Sequence, residues 1–278
     1  PSVGPAGSLS RYAKGLRWVV RSRVAERPAL YLPVARRKYR RPGPTVVGPR
    51  TELVIDGFTR SAVTFTVYGF QLAQRHPVRL AHHLHAPAQF IEAARRGTPA
   101  LATIRDPEEA ILSVLIREPF VSPRAALIAY ARFHERLLPY RSSFVVADFR
   151  EVTTDLGSVI GRVNQRFGTE FDQFEHTPEN VQMCFTLVEI RTRKPPWDHV
   201  LGEFESGLIG PSELRAELER NAAHLETPLG AAGVERAARP SAERQLLKQQ
   251  LRGRMLDQAL TPLRERARRI YERIQEAG

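Results

Sequence analysis

The stretch "LVIDGFTRSAVTFTVYGF", residues 53–70, decides how the chain is read. Leu53, Val54 and Ile55 open it as a buried strand, Gly57 breaks it into the short polar turn Thr59-Arg60-Ser61, and an apolar helical run resumes at Ala62. A strand, a tight turn and a helix start form a common beginning for a phosphate cradle. The first turn of a helix offers unpaired N–H groups and the positive end of its dipole to an anion. Arg60 adds a full charge, Ser61 and Thr64 add hydroxyl donors, and the N–H groups of Ala62 to Thr64 would point at the same anion. The Walker spacing is absent, because no Gly-Lys pair follows Gly57. By spacing alone, an ordinary strand-to-helix turn with a surface arginine explains the segment equally well.

Outward from this stretch, strand-like and helix-like segments alternate. Short apolar runs at 52–57, 78–83, 99–105 and 143–149 are separated by helical stretches near 62–75, 87–96, 107–117 and 122–139, followed by an amphipathic helix at 151–168. That order predicts an α/β fold, a parallel sheet flanked by helices in three layers of the P-loop-like kind. Residues 176–278 read as a mainly helical, acceptor-side and C-terminal extension of a domain spanning 51–278, with helices around 179–193, 211–224, 241–256 and 262–276. Pro195-Pro196 and "LGAAGVERAARPS" read as hinges.

The net charge of +12 over 278 residues is concentrated in one place. Residues 1–50 carry twelve Lys or Arg against one acid, Glu26, whereas the other 228 residues carry 30 basic and 29 acidic side chains. A basic arm therefore precedes a neutral body. Leu16, Trp18, Val19, Val20 and Val24 among its bases suit a short interfacial helix on an anionic lipid surface, before Pro28, Pro33, Pro42 and Pro44 enforce extended chain. The plainer reading is a solvated arm that packs its few aromatics onto the body. No nucleic-acid signature is present, and no specific nucleic-acid contact is expected. The single cysteine, Cys184, and the lack of a long apolar run make the cytosol the default location, with any membrane contact peripheral.

A second segment, "LATIRDPEEAILS", shifts the balance at the turn. Asp106 is a good N-cap, Pro107 favours the first helical position, and Glu108 and Glu109 complement the dipole. Arg105 ends the preceding strand and Ser113 lies two turns along the helix, so both can converge on one oxygen-rich anion. The alternative is that Arg105 pairs with Glu109 and Ser113 bonds back to a helix carbonyl.

Together these segments resemble the sulfotransferases that use 3′-phosphoadenosine 5′-phosphosulfate (PAPS). In that family a P-[KR]-S-G-T-T-W turn after the first strand binds the 5′-phosphosulfate, and R-[DN]-P followed by a helix serine holds the 3′-phosphate. Here "TRSAVTF" stands at the first motif and "RDPEEAILS" at the second, and the likeness covers roughly residues 51–175, including "FVVADFREVTTD". The resemblance implies that Arg60, Ser61, Ala62, Val63, Thr64 and Phe65 bind the phosphosulfate and that Arg105 and Ser113 hold the nucleotide. Ala62 replaces a glycine where backbone approaches ligand, and Val63 replaces a threonine, removing a hydroxyl.

Sulfuryl transfer also needs a base, and "RLAHHLHAP" supplies His82, His83 and His85. On a strand His83 and His85 share one face, with His82 on the other. The family's short H-x-P segment makes His85 in "HAP" the general base and His83 the second choice, with Arg60 stabilising charge on the departing phosphate. These histidines also fit strand-end residues bonded to backbone, or ligands of a zinc ion held by His83 and His85. No acid lies in the segment and Cys184 is remote, so no metal is expected. Later, Arg239, Arg244 and Lys248 read as a solvated helix face, while Trp197 and the 200–235 region are candidates for an acceptor pocket. The rival classes are a non-catalytic anion- or nucleic-acid-binding protein using the same cradle and arm, and a phosphoryl-transfer enzyme. The missing Gly-Lys pair and the absence of an obvious magnesium-binding acid beside Thr64 speak against the last.

Overall fold

The computed structural model describes residues 5–39, 45–193, 198–220 and 242–276. Two helices, α1 (Pro5–Val24) and α2 (Pro28–Lys38), precede four strands, β1 (Leu53–Gly57), β2 (Leu80–His82), β3 (Ala100–Ile104) and β4 (Val145–Asp148). All strands are parallel, in the order β2-β1-β3-β4. The crossovers are α3 (Val63–Ala73), α4 (Pro87–Arg96), and α5 (Pro107–Arg117) with α6 (Pro123–Leu137). Beyond the sheet follow α7 (Phe149–Thr154), α8 (Leu156–Phe167), α9 (Pro178–Arg193), α10 (Asp198–Glu205), α11 (Pro211–Arg220), α12 (Ala242–Met255) and α13 (Thr261–Glu276). The expected α/β class and the helical C-terminal part are both present.

Every residue of β1 and β3 is buried, as strands covered on both faces must be. Alternate side chains serve opposite layers. Val54, Ala102, Ile104 and Val146 pack under α4, α5, α6 and α13, whereas Leu53, Ile55, Leu101 and Ala147 pack under α3, α8 and α9. Local signals set the helix starts. Asp106 caps α5 by accepting from the Glu108 and Glu109 amides at 2.9 and 3.2 Å, with Pro107 at the first position. Asp148 and Glu151 form a capping box on α7. Cys184 is a buried core residue facing Gly69 on α3.

The arm departs from expectation. It is helical as far as Lys38: Pro28 opens α2 and Pro33 lies inside it, so these two prolines do not enforce extended chain. Tyr31, Leu32 and Ala35 compensate for the lost backbone bond by packing against Leu84, Ala86 and Ala88 at the start of α4. The arm's only acid, Glu26, is buried and takes Arg132 at 2.5 Å and Arg136 at 3.1 Å from α6. Trp18 packs on the α6 side of the core. Tyr12, Leu16 and Val20 remain exposed along one side of α1. No helix among the described residues is long and apolar enough to cross a membrane. Pro42, Pro44, Pro195-Pro196, Trp197, Arg239 and the 229–241 hinge lie outside the described residues, as does the side chain of Arg244.

Gly57 ends β1 opposite Thr103 of β3. A Cβ there would stand 2.2 Å from the Thr103 carbonyl oxygen. Gly57→Ala is expected to destabilise the fold by about 1–3 kcal/mol, as overpacking at a rigid backbone contact does. Chemical denaturation of the purified variant measures it; an unchanged midpoint would mean that the two strands separate freely there.

Candidate functional site

The connection after β1 leads to β2 on one side and the connection after β3 leads to β4 on the other, so a crevice opens between the carboxyl ends of these two neighbouring strands. The turn at 58–62 fills the floor of that crevice. It is tight because two of its residues take left-handed backbone, Arg60 at φ 73° and Ala62 at φ 66°. Ala62 is the N-cap of α3 and provides no side-chain cap, so the first N–H groups of the helix have no partner within it.

A cleft of about 650 Å³ opens over this helix start. Its lining includes Arg60, Ala62, Val63, Thr64 and Phe65 from the turn and the start of α3, Arg105 and Ser113 from the β3–α5 segment, and His85 from the loop after β2. Two stretches 45 residues apart in sequence are therefore brought to one site. Ser61 and His83 sit apart from it: Ser61 is fully buried and its Oγ has no hydrogen-bond partner, and His83 lies beneath Thr64.

The basic groups are interlinked. Arg60 Nε donates to Ser113 Oγ at 2.9 Å, and Arg105 Nη1 donates to the Arg60 carbonyl at 3.1 Å. Arg105 lies 4.1 Å over the Phe149 ring and 3.5 Å from Glu109, which realises the alternative pairing for Arg105. Ser113, by contrast, accepts from Arg60. Glu109 also holds Lys248 at 2.7 Å and Arg252 at 3.2 Å, from α12. Burial alone would raise the Glu109 carboxyl, but the Lys248 hydrogen bond and the charges of Lys248, Arg105 and Arg252 hold it below its ordinary value. Lys248, expected on a solvated face, thus lines the cleft instead. Ile116, Phe149, Phe185 and Val188 supply an apolar wall.

The histidines do not follow strand alternation. β2 stops at His82, and His83 and His85 take left-handed backbone at φ 58° and 49°. The cause is Asp56, a fully buried carboxylate in β1 that accepts from the Leu84 amide at 3.0 Å and the His85 amide at 3.1 Å, winding the loop around itself. His85 Nδ1 lies 3.0 Å from the Gly57 carbonyl, which can only accept, and 3.3 Å from Asp56 Oδ1. In the neutral ring the proton is therefore on Nδ1 and the lone pair on Nε2. That is the tautomer a general base needs. His82 and His83, which a strand would point to opposite faces, turn toward each other, Nδ1 to Nδ1 at 2.7 Å, while the His83 and His85 rings keep an edge contact with centroids 5.9 Å apart. Burial and the nearby Arg191 hold His82 and His83 well below the usual histidine value, His82 down to about 3, so both rings are neutral.

Asp56 was missed by the motif comparison, although an acid inside an otherwise apolar strand is a signal that such a group has buried work to do. Glu205, which faces His82 and His83 from α10, left no signal at all. No protein-family model, curated protein or solved structure matches the chain.

Ala62 pays the left-handed penalty of a side chain with a Cβ. Ala62→Gly is expected to raise stability by up to about 1 kcal/mol, the steric relief less the greater unfolded-state freedom of glycine. A denaturation midpoint that falls would mean that the Ala62 methyl contributes packing worth more than the strain.

Proposed function

We propose that this protein is a sulfotransferase that moves the sulfuryl group of PAPS to an acceptor hydroxyl or amine. The observation that carries the reading is the convergence of the two motif segments, with His85 in its basic tautomer, on one cleft at the carboxyl ends of β1 and β3. The likeness of "TRSAVTF" and "RDPEEAILS" to the PAPS-binding motifs supports the choice of co-substrate. The chemistry of the lining agrees with an anionic nucleotide: three cations, Arg60, Arg105 and Lys248, stand against one carboxylate, and an aromatic and aliphatic wall suits a base.

In this reading His85 Nε2 takes the acceptor proton as the acceptor oxygen or nitrogen attacks sulfur. The bond from sulfur to the 5′-phosphate oxygen breaks in line, and its electron pair leaves with the nucleotide. Arg60 and the first N–H groups of α3 offset the charge that develops there. Asp56, 3.3 Å from His85 Nδ1, stabilises the imidazolium. Arg105 and Ser113 hold the 3′-phosphate, Arg105 exchanging part of its contact with Glu109 for the ligand. In this reading the acceptor would occupy a second cavity of about 220 Å³, which shares His85, Arg60 and Thr59 with the cleft and is walled by Trp18, Phe58 and Phe133. The arm would then form part of the catalytic unit.

Calorimetric titration tests the co-substrate. The wild type is expected to bind 3′,5′-adenosine bisphosphate in preference to AMP or to ATP with magnesium, and Arg105→Ala to lose that preference. Equal affinity for all three nucleotides would leave only an anion-binding cradle. With an acceptor in hand, His85→Ala is expected to lower kcat by roughly 10²–10⁴-fold with bisphosphate affinity retained, the range of a general base. An unchanged kcat would remove His85 from the chemistry.

A further inference from the structure

Beneath the cleft, and separate from it, lies a second cluster of chemistry-bearing groups. His82 at the end of β2, His83 in the loop that follows and Glu205 at the end of α10 are all buried, and one ligand atom from each lies within 4.8 Å of the others. The Glu205 carboxylate is used unevenly. Oε1 accepts from Tyr68 Oη at 2.7 Å and is paired with Arg191, whereas Oε2 is buried without a hydrogen-bond partner. That free oxygen lies 3.9 Å from His82 Nδ1 and 4.0 Å from His83 Nδ1, and the two nitrogens are 2.7 Å apart.

We infer that His82, His83 and Glu205 form a binding site for a divalent transition-metal cation, with zinc the best fit. The point equidistant from three atoms separated by 2.7, 3.9 and 4.0 Å lies about 2.1 Å from each, which is the bond length of zinc to imidazole nitrogen and carboxylate oxygen. Two neutral imidazoles and one carboxylate are a donor set for zinc or iron(II), and a poor one for calcium or magnesium. A proton shared between the two Nδ1 atoms accounts for their close approach. It leaves Glu205 Oε2 unsatisfied, which a cation does not.

The surroundings point the same way. His82 Nε2 lies 3.3 Å from Thr45 Oγ1 and His83 Nε2 lies 3.0 Å from Thr64 Oγ1, so each ring has an oxygen ready to accept an Nε2 proton while Nδ1 turns inward. The left-handed backbone of His83 is what aims its ring at His82 and away from the strand's far face. A cation here would tie the end of β2 to α10 and, through Thr64, steady the first turn of α3. The inference needs no nucleotide and stands whether or not the proposed function does.

The test uses the full chain, stripped with a chelator and titrated with Co²⁺ and then Zn²⁺. One equivalent of Co²⁺ per chain is expected, with visible absorption bands that Zn²⁺ abolishes, and X-ray absorption of the zinc form is expected to show the multiple scattering of coordinated imidazoles. Glu205→Gln is expected to weaken binding at least tenfold, and His85→Ala, outside the cluster, to leave it unchanged. If Glu205→Gln fails to fold, the X-ray absorption of the wild type decides alone. Absence of stoichiometric binding by a folded wild type, a zinc spectrum without imidazole scattering, or equal binding by a folded Glu205→Gln overturns the site.

Discussion

The fold and its site depend on one buried carboxylate. Asp56 sits inside a parallel sheet, where an ionised group without partners would be costly, and it accepts from the amides of Gly57, Leu84 and His85 and from the Gln89 side chain. Those donors come from three pieces of chain: the end of β1, the loop after β2 and helix α4. Satisfying Asp56 therefore fixes how the loop after β2 folds over the end of β1, and with it where every histidine of that loop can point. His85 is placed next to the cleft by its own backbone N–H, before its side chain makes any contact.

That constraint divides three neighbouring histidines into two kinds. His85, three-quarters covered, keeps Nε2 as its basic nitrogen next to the turn of the cradle. His82 and His83 are withdrawn into the interior, where they are neutral and paired. The division is how an accessible ring and a buried ring pair coexist in four residues of sequence. The same loop lines the cleft on one side and carries the buried cluster on the other, with Thr64 between them.

The cleft is a balance of charge. Glu109 takes up Arg105, Lys248 and Arg252 together, which holds α12 against α5 and keeps three cations from repelling one another. Under the proposed function an arriving anion would compete for Arg105 and Lys248 against the Glu109 carboxylate, so its selectivity would rest on geometry as much as on charge. Arg60 and Ser113 are linked directly, and that link joins the two segments with no ligand needed.

Much of this was legible in the sequence. Apolar runs separated by helical periods determine a parallel α/β sheet, and Asp106-Pro107 determines the start of α5, because these are local effects of burial and backbone hydrogen bonding. That the turn at 57–65 meets Arg105 and Ser113 was also legible, since strand ends in such a sheet share one edge. What only the tertiary structure decided were relations across distance. Pro33 could enter a helix because Tyr31, Leu32 and Ala35 found a surface to bury against. Strand alternation set His82 apart from His83 and His85, but Asp56 winds the chain after β2 into a loop in which His82 and His83 meet as well. Glu205, more than 120 residues from His82, reaches it only because α10 packs against α3, and no spacing rule encodes a contact made by the packing of separate elements.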